Sequence, residues 1–201
     1  MNIRDAILTA LRSTAARLDA LPLSPLPDAP APITYPNPEA QFTESFTSVG
    51  GRLFRVPDLA ALVAELSNLD LYAQARKIVS LVPGVGTSTV DVAAMQRPHE
   101  LEGVDLAILA GDFGVAENGA VWVPGCSLGP HRAIFVITEH LVLVLPASQI
   151  VHTMQHAYDR IRFERPGFGL FISGPSKTAD IEQSLVIGAH GPRSCTLFLV
   201  G

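Results

Sequence analysis

Gly167-Phe168-Gly169-Leu170-Phe171-Ile172 is an apolar run that predicts a buried strand, and it leads directly into the polar tract Ser173-Gly174-Pro175-Ser176-Lys177-Thr178-Ala179-Asp180-Ile181-Glu182-Gln183-Ser184-Leu185. Ile181 and Leu185 share one helical face, so we expect a helix to begin near Thr178. The tract is therefore predicted to be a turn between a strand and a helix. Ligands of open α/β sheets bind at such turns.

The polar tract has two interpretations. In the structural one, Gly174-Pro175 forms the turn, Thr178 caps the helix and Asp180 suits the positive end of the helix dipole. In the functional one, free N–H groups at the helix start form an anion pocket for a carboxylate or a phosphate. The side chains of that pocket are Ser173, Ser176, Lys177 and Thr178.

A second candidate site is the glycine-rich loop Gly111–Gly119, which follows a predicted strand. Loops at strand ends commonly carry chemistry. Glu117 could act as a nucleophile or general base, with Asn118 donating a hydrogen bond to an oxyanion. Alternatively, Asn118-Gly119 is a type I′ hairpin turn, but that turn leaves Asp112 and Glu117 without a role.

Helical and apolar segments alternate along the chain, which predicts an α/β fold. The predicted elements are a helix near 39–48, strand 53–56, helix 58–67, strand 77–82, strand 105–110, a helix near 147–162 and strand 196–200. Three further apolar runs are separated by turns instead of helices, so we expect a mixed, mostly parallel sheet with a small antiparallel insertion. These runs are Ala120–Val123, Ala133–Ile137 and Leu141–Leu145.

The N-terminal region differs from the rest of the chain. Residues 1–20 place Ile3, Ile7 and Leu11 at helical spacing, which predicts an amphipathic helix. Residues 21–38 are rich in proline and predict an extended connector. The helix either reaches a partner or packs on its own domain, because the sequence does not fix the direction of a linker.

Composition excludes several classes of protein. The chain of 201 residues is 48% apolar, which argues against a disordered or fibrous protein. A formal net charge of -5 with scattered arginines argues against nucleic acid or a membrane surface as partner. The N-terminus lacks the apolar region of a signal peptide, so we expect a cytoplasmic protein. Its 2 cysteines cannot assemble an iron–sulfur cluster or a structural zinc site within the chain.

Three histidines are candidate site residues. His152 and His156 are four residues apart on the predicted helix 147–162, but no third ligand is identifiable, so no metal is predicted. His190 is expected near the C-terminal end of the helix that begins at Thr178. It either caps that helix or takes part in acid–base chemistry.

Three of these stretches together resemble the LUD-domain family, typified by lactate utilisation protein C. They are Gly111–Gly119, Ser173–Gln183 and Gly188-Ala189-His190-Gly191-Pro192-Arg193, of which the second is highly specific. The resemblance covers roughly residues 40–201, so 39–201 is expected to be the LUD domain. It implies a three-layer α/β/α fold similar to the NagB/RpiA/CoA-transferase superfamily.

The resemblance also implies a role in a bacterial system that oxidises L-lactate to pyruvate, with iron–sulfur clusters in sister subunits. This chain would be an accessory subunit with no cofactor of its own and a cleft for a small carboxylate or other anionic metabolite. Ala116-Glu117-Asn118-Gly119 resembles the Ser-Glu-Asn-Gly turn that bears the catalytic glutamate of CoA transferases. An acyl-transferring, CoA-transferring or ligating enzyme, an assembly scaffold and a homo-oligomer therefore stay open.

The predicted site combines both motifs. Glu117 and Asp112 are the catalytic candidates. The predicted ligand-binding residues are Asn118, Ser173, Gly174, Ser176, Lys177, Thr178, Asp180, Glu182, Gln183 and His190.

Overall fold

The computed structural model describes residues 2–19, 31, 33–161, 167–178 and 186–201, without the side chains of 15–19. Asp180, Glu182, Gln183 and most of the proline-rich connector lie outside the described residues. The chain forms two compact units, Met1–Ala31 and Pro32–Gly201. In the first unit, helix α1 spans Ile3–Asp19 and begins at Asn2, whose Oδ1 accepts the N–H of Arg4.

The second unit carries the remaining elements. Its helices are α2 (Pro38–Ser48), α3 (Leu59–Ser67), α4 (Asp70–Ala73), α5 (Ile134–Ile137) and α6 (Met154–Arg160). Its strands are β1 (Arg52–Val56), β2 (Ile78–Ser80), β3 (Leu106–Ala110), β4 (Phe113–Val115), β5 (Ala120–Pro124), β6 (His140–Pro146), β7 (Ile150–Val151), β8 (Gly169–Ile172), β9 (Lys177–Thr178), β10 (Val186–Ile187) and β11 (Ser194–Val200).

The central sheet has five parallel strands in the order β1-β11-β6-β3-β2. Its middle strands, β6 and β11, are the longest and are buried along most of their length. Apolar side chains on both sides explain this burial, since a parallel sheet is normally covered on both faces. The mostly parallel α/β architecture predicted from the sequence is confirmed.

Alternate residues of the central strands feed two hydrophobic cores. On one face, Ile108 and Phe198 pack with Leu62 and Leu66 of α3. On the other face, Leu143 and its neighbours pack with α2 and with the inner side of a second sheet. Helix α3 therefore packs on one face of the central sheet, whereas helix α2 and the second sheet together cover the opposite face.

The second sheet has four strands in the order β7-β4-β5-β8. β5 is antiparallel to both β4 and β8, whereas β4 and β7 are parallel. Val121 and Val123 of β5 face the central sheet, and Trp122 faces α6. This sheet is the antiparallel insertion expected from the sequence, but of the three expected runs it contains only Ala120–Val123, in β5. Leu141–Leu145 lies instead in β6 of the central parallel sheet.

Two of the predicted segments are wrong in detail. Ala133–Ile137 was predicted as a strand, yet Ile134–Ile137 is the short helix α5. A short apolar run without a clear period fits either element. Helix 147–162 is also too long, because Ile150–Val151 pairs with β4 and only Met154–Arg160 is α-helical.

Asp105 ties the start of β3 to the segment that enters β2. Its Oδ2 accepts the backbone N–H groups of Arg76 and Lys77 at 2.7 and 2.8 Å. The hydrogen bond from Lys77 is the largest cause that lowers the pKa of Asp105, and it outweighs the opposing desolvation. The folded state therefore favours the ionised carboxylate.

We expect Asp105→Asn to lower the melting temperature at pH 7. We also expect the melting temperature of this variant to decrease less than that of the wild type as the pH is lowered. A depressed pKa stabilises the fold above the ordinary value of about 4, and this contribution disappears as pH falls through the lower folded value. Melting temperatures measured from pH 7 to pH 3 check this, with the exposed Asp159→Asn as control. Parallel curves for wild type and Asp105→Asn would contradict the prediction.

Candidate functional site

The end of β8 leads into a tight turn at Gly174. This glycine has φ +76, and a Cβ there would lie 2.8 Å from the carbonyl oxygen of Val49, just after α2. The Ser176 N–H donates to the Pro192 carbonyl, and the Gly188 N–H donates to the Ser176 carbonyl. The predicted turn is therefore present, and it is fixed against the segment that enters β11.

The predicted helix from Thr178 to His190 is wrong at both of its described ends. Lys177–Thr178 is strand β9, which pairs in antiparallel fashion with β10 at Val186–Ile187. His190 consequently lies in the loop after β10. Thr178 thus lies in a strand, and residues 179–185, where the predicted helix would continue, lie outside the described residues.

Four predicted ligand-binding residues line one cavity of about 270 Å³, here called the Ser176–His190 cleft. Its floor is apolar and includes Phe135, Leu141 and Ile172. The predicted residues on its polar side are Ser173, Gly174, Ser176 and His190. The sequence does not predict these apolar lining residues, because they come from separate elements and share no local sequence signal.

The cleft lies at the amino ends of the central strands. Leu141 is the second residue of β6, and Pro192 precedes β11. The expected location was the carboxyl ends of the strands, where ligands of open α/β sheets usually bind. The difference arises because β8 belongs to the antiparallel sheet, so its carboxyl end meets the opposite edge.

Lys177 and Thr178 lie beside the cleft. A Cβ on Gly50 would be 3.8 Å from Cε of Lys177, which places that side chain near the end of α2. Thr178 Oγ1 lies 3.4 Å from Nδ1 of His190. Thr178 thus adjoins the cleft through His190, whereas the Lys177 side chain reaches Gly50, just after α2.

The Ala116–Gly119 turn contacts the polar tract directly. The Ser173 hydroxyl donates to the Asn118 carbonyl at 2.8 Å. The turn has four residues between β4 and β5, with the Gly119 N–H donating to the Val115 carbonyl, so the predicted two-residue type I′ turn is wrong. Asn118 Oδ1 instead accepts the N–H of Ala120.

Glu117 interacts with the first residue of α6. Its Oε2 accepts the N–H of Met154 at 2.8 Å, as a carboxylate does at a helix N-terminus. The side chain is exposed and is not one of the described residues that line the Ser176–His190 cleft. Asp112 lies at the other end of β4, a separation of roughly 10 Å for a three-residue strand. The two predicted catalytic carboxylates therefore do not form a pair.

His152 and His156 lie close together, with ring centroids 5.6 Å apart. His152 precedes α6 instead of lying on it, and its Nδ1 accepts the N–H of Tyr35 at 3.0 Å. Nδ1 of His156 lies 2.8 Å from the Thr153 hydroxyl. Within the described part of the chain, no group of three or more His, Cys, Asp or Glu side chains could hold a metal ion. The absence of a cofactor stays a prediction.

Comparisons with known proteins agree with this fold. A solved structure of a DUF162 family protein from Deinococcus radiodurans superposes with a TM-score of 0.56. It is 19% identical and covers 85% of this chain and 100% of its own. Among the described residues, no helix is long and apolar enough to cross a membrane.

Sequence relatives share one name. Lactate utilization protein C from Shouchella clausii is 36% identical over 108 residues, which are 51% of this chain and 46% of that protein. The protein of the same name from Bacillus subtilis is 33% identical over 105 residues, or 49% of this chain and 43% of its own length. The chain thus matches slightly less than half the length of these relatives.

The family assignment rests on most of the second unit. The family model described as LUD domain matches residues 63–200, which include the Ala116–Gly119 turn and the Ser176–His190 cleft. This match covers more than half of the chain. The chain therefore belongs to the LUD domain family.

Proposed function

We propose that this chain is an accessory component of a bacterial system that oxidises L-lactate to pyruvate, and that its Ser176–His190 cleft binds a small carboxylate. The relatives' shared name supports the first part. The observation that carries the second is the meeting of both predicted motifs beside one cavity through the bond between Ser173 and Asn118.

The cleft has the chemistry to hold a small carboxylic acid. Its apolar floor suits a methyl group. Ser173 has already donated its hydroxyl hydrogen to Asn118, so it offers only acceptor capacity to a ligand. Ser176 has no side-chain partner among the described residues, and its hydroxyl can donate to a carboxylate together with a ring N–H of His190.

Oxidation of lactate to pyruvate releases two electrons and two protons, which an acceptor must take up. This chain has 2 cysteines, which are too few to ligate an iron–sulfur cluster. This number supports placing the electron acceptor in sister subunits that carry such clusters. This chain would then bind or present the acid and assemble with those subunits.

The first test is thermal unfolding with L-lactate and with pyruvate. A ligand at about 100 times its Kd raises the free energy of unfolding by about 2.7 kcal/mol, or about 5–10 °C for a chain of this size. We expect Ser176→Ala and His190→Ala to abolish this shift. His99→Ala, an exposed histidine that does not line the cleft, should retain it.

Two further results would redirect the proposal. No shift with either acid, combined with capture of iron–sulfur subunits from the same bacterium, would leave only the assembly role. Exchange between CoA thioesters that is lost in Glu117→Gln would instead support the transferase alternative.

A further inference from the structure

A second cavity lies at the other end of the small sheet, where β5 ends and β8 begins. Its volume is about 430 Å³, and its lining includes Asp112, Trp122, Cys126, Arg132, Arg160 and Phe168. We call it the Arg132–Arg160 cavity. β8 separates it from the Ser176–His190 cleft, because Phe168 precedes that strand and Ser173 follows it.

Both guanidinium groups of this cavity are held over aromatic rings. Cζ of Arg132 lies 5.0 Å from the ring centroid of Phe168, and Cζ of Arg160 lies 4.7 Å from that of Phe113. Nη2 of Arg160 also donates to Oε1 of Gln149 at 2.6 Å. Such contacts reduce the conformational entropy that an arginine loses when it binds an anion.

Neither arginine forms an ion pair with a carboxylate of the described residues. These two positive charges are therefore not neutralised by an ion pair within the described part of the chain. Guanidinium groups bind carboxylates through parallel N–H bonds that fit the geometry of the two oxygens.

We propose that the Arg132–Arg160 cavity binds an organic monocarboxylate with an apolar body. Among the described lining residues, two guanidinium groups and the Asp112 carboxylate give a net formal charge near +1, which matches a monoanion better than a phosphate dianion. Trp122 and Phe168 supply apolar walls that an inorganic ion would leave in water.

Cys126 reports on whether this cavity is occupied. It is exposed and lines the cavity, whereas the chain's other cysteine, Cys195, is 1% exposed. Burial also raises the pKa of the Cys195 thiol to about 12, which keeps it in the unreactive protonated form. Alkylation by neutral iodoacetamide therefore measures Cys126 alone.

The experiment measures the alkylation rate of the full chain with and without 3-phenylpropionate. We expect the carboxylate to slow alkylation and its neutral amide, 3-phenylpropionamide, to leave the rate unchanged. Arg132→Gln and Arg160→Gln should each weaken the protective affinity at least about tenfold. Rates are compared within each variant, because removing a nearby positive charge also changes the reactivity of the thiol.

Arg97→Gln is the matched control, because Arg97 is exposed, pairs with Glu100 and does not line the cavity. It should retain full protection, and so should His190→Ala of the other cleft. Arg132→Lys provides a second variant that keeps the charge but not the planar fork. Equal protection by the amide, stronger protection by inorganic phosphate, no protection by 3-phenylpropionate, or unchanged affinity in both Arg→Gln variants would overturn the proposal.

Discussion

Phe46→Ala is expected to lower the free energy of unfolding by about 3–5 kcal/mol, the usual cost of removing a buried phenyl ring. Phe46 is 0% exposed, and its ring stacks on Phe42 with 5.9 Å between centroids. A Cβ on Gly51 would fall inside the space of this ring, so the surrounding backbone is shaped around it. The hydrophobic core around Phe46 therefore has little freedom to close around an alanine.

Urea unfolding measures this loss. Phe46→Leu should cost less than Phe46→Ala, because it leaves a smaller cavity in the core. Tyr158→Ala is the control, since Tyr158 is 64% exposed and its replacement should change the free energy by no more than about 0.5 kcal/mol. A loss below about 1 kcal/mol in Phe46→Ala would show that α2 contributes little to the core.

The elements that the sequence predicted well are those with long apolar runs or clear capping residues. Leu141–Leu145 forms most of β6 because a continuous run of branched apolar residues suits a strand buried on both faces. α2 follows Asn37, whose side chain caps the N–H of Ala40, and Pro38 occupies its first position. These signals are local, so the sequence contains them.

The predictions that failed depend on distant partners. Thr178 was expected to cap a helix, but the structure pairs Lys177–Thr178 with Val186–Ile187. Choosing between a helix and this pairing requires tertiary contacts that outweigh local propensity.

In the candidate site, too, local features are predictable from the sequence, whereas contacts between distant residues are not. The sequence predicts Ser173 and Asn118 as site residues from their chemistry, but the hydrogen bond between them joins the segment after β8 to the turn between β4 and β5. Arg132 and Arg160 have no motif around them, and only the folded chain brings them to one cavity. Residue types that suit anion binding are therefore readable from sequence, whereas the grouping of those residues is not.

Gly119→Ala is expected to lower the free energy of unfolding by about 2–4 kcal/mol, because two costs combine at this position. Gly119 has φ +66, a conformation that alanine adopts only with strain. An added Cβ would also lie 2.5 Å from the backbone nitrogen of Phe46, and backbone cannot rotate away as a side chain can.

Gly103→Ala separates these two costs. Gly103 has φ +73, but a Cβ there would have no atom within 4 Å, so this variant carries only the conformational cost of about 1–2 kcal/mol. The chain's 1 tryptophan, Trp122, lies in β5 directly after the Gly119 turn, and its fluorescence follows unfolding in both variants. A larger loss in Gly119→Ala means that close contact with α2 is what requires glycine in the turn that meets Ser173. Equal losses would assign the requirement to the positive φ alone, and the link between α2 and the site turn would then rest on the Ser45 hydroxyl, which donates to the Ala116 carbonyl at 2.8 Å.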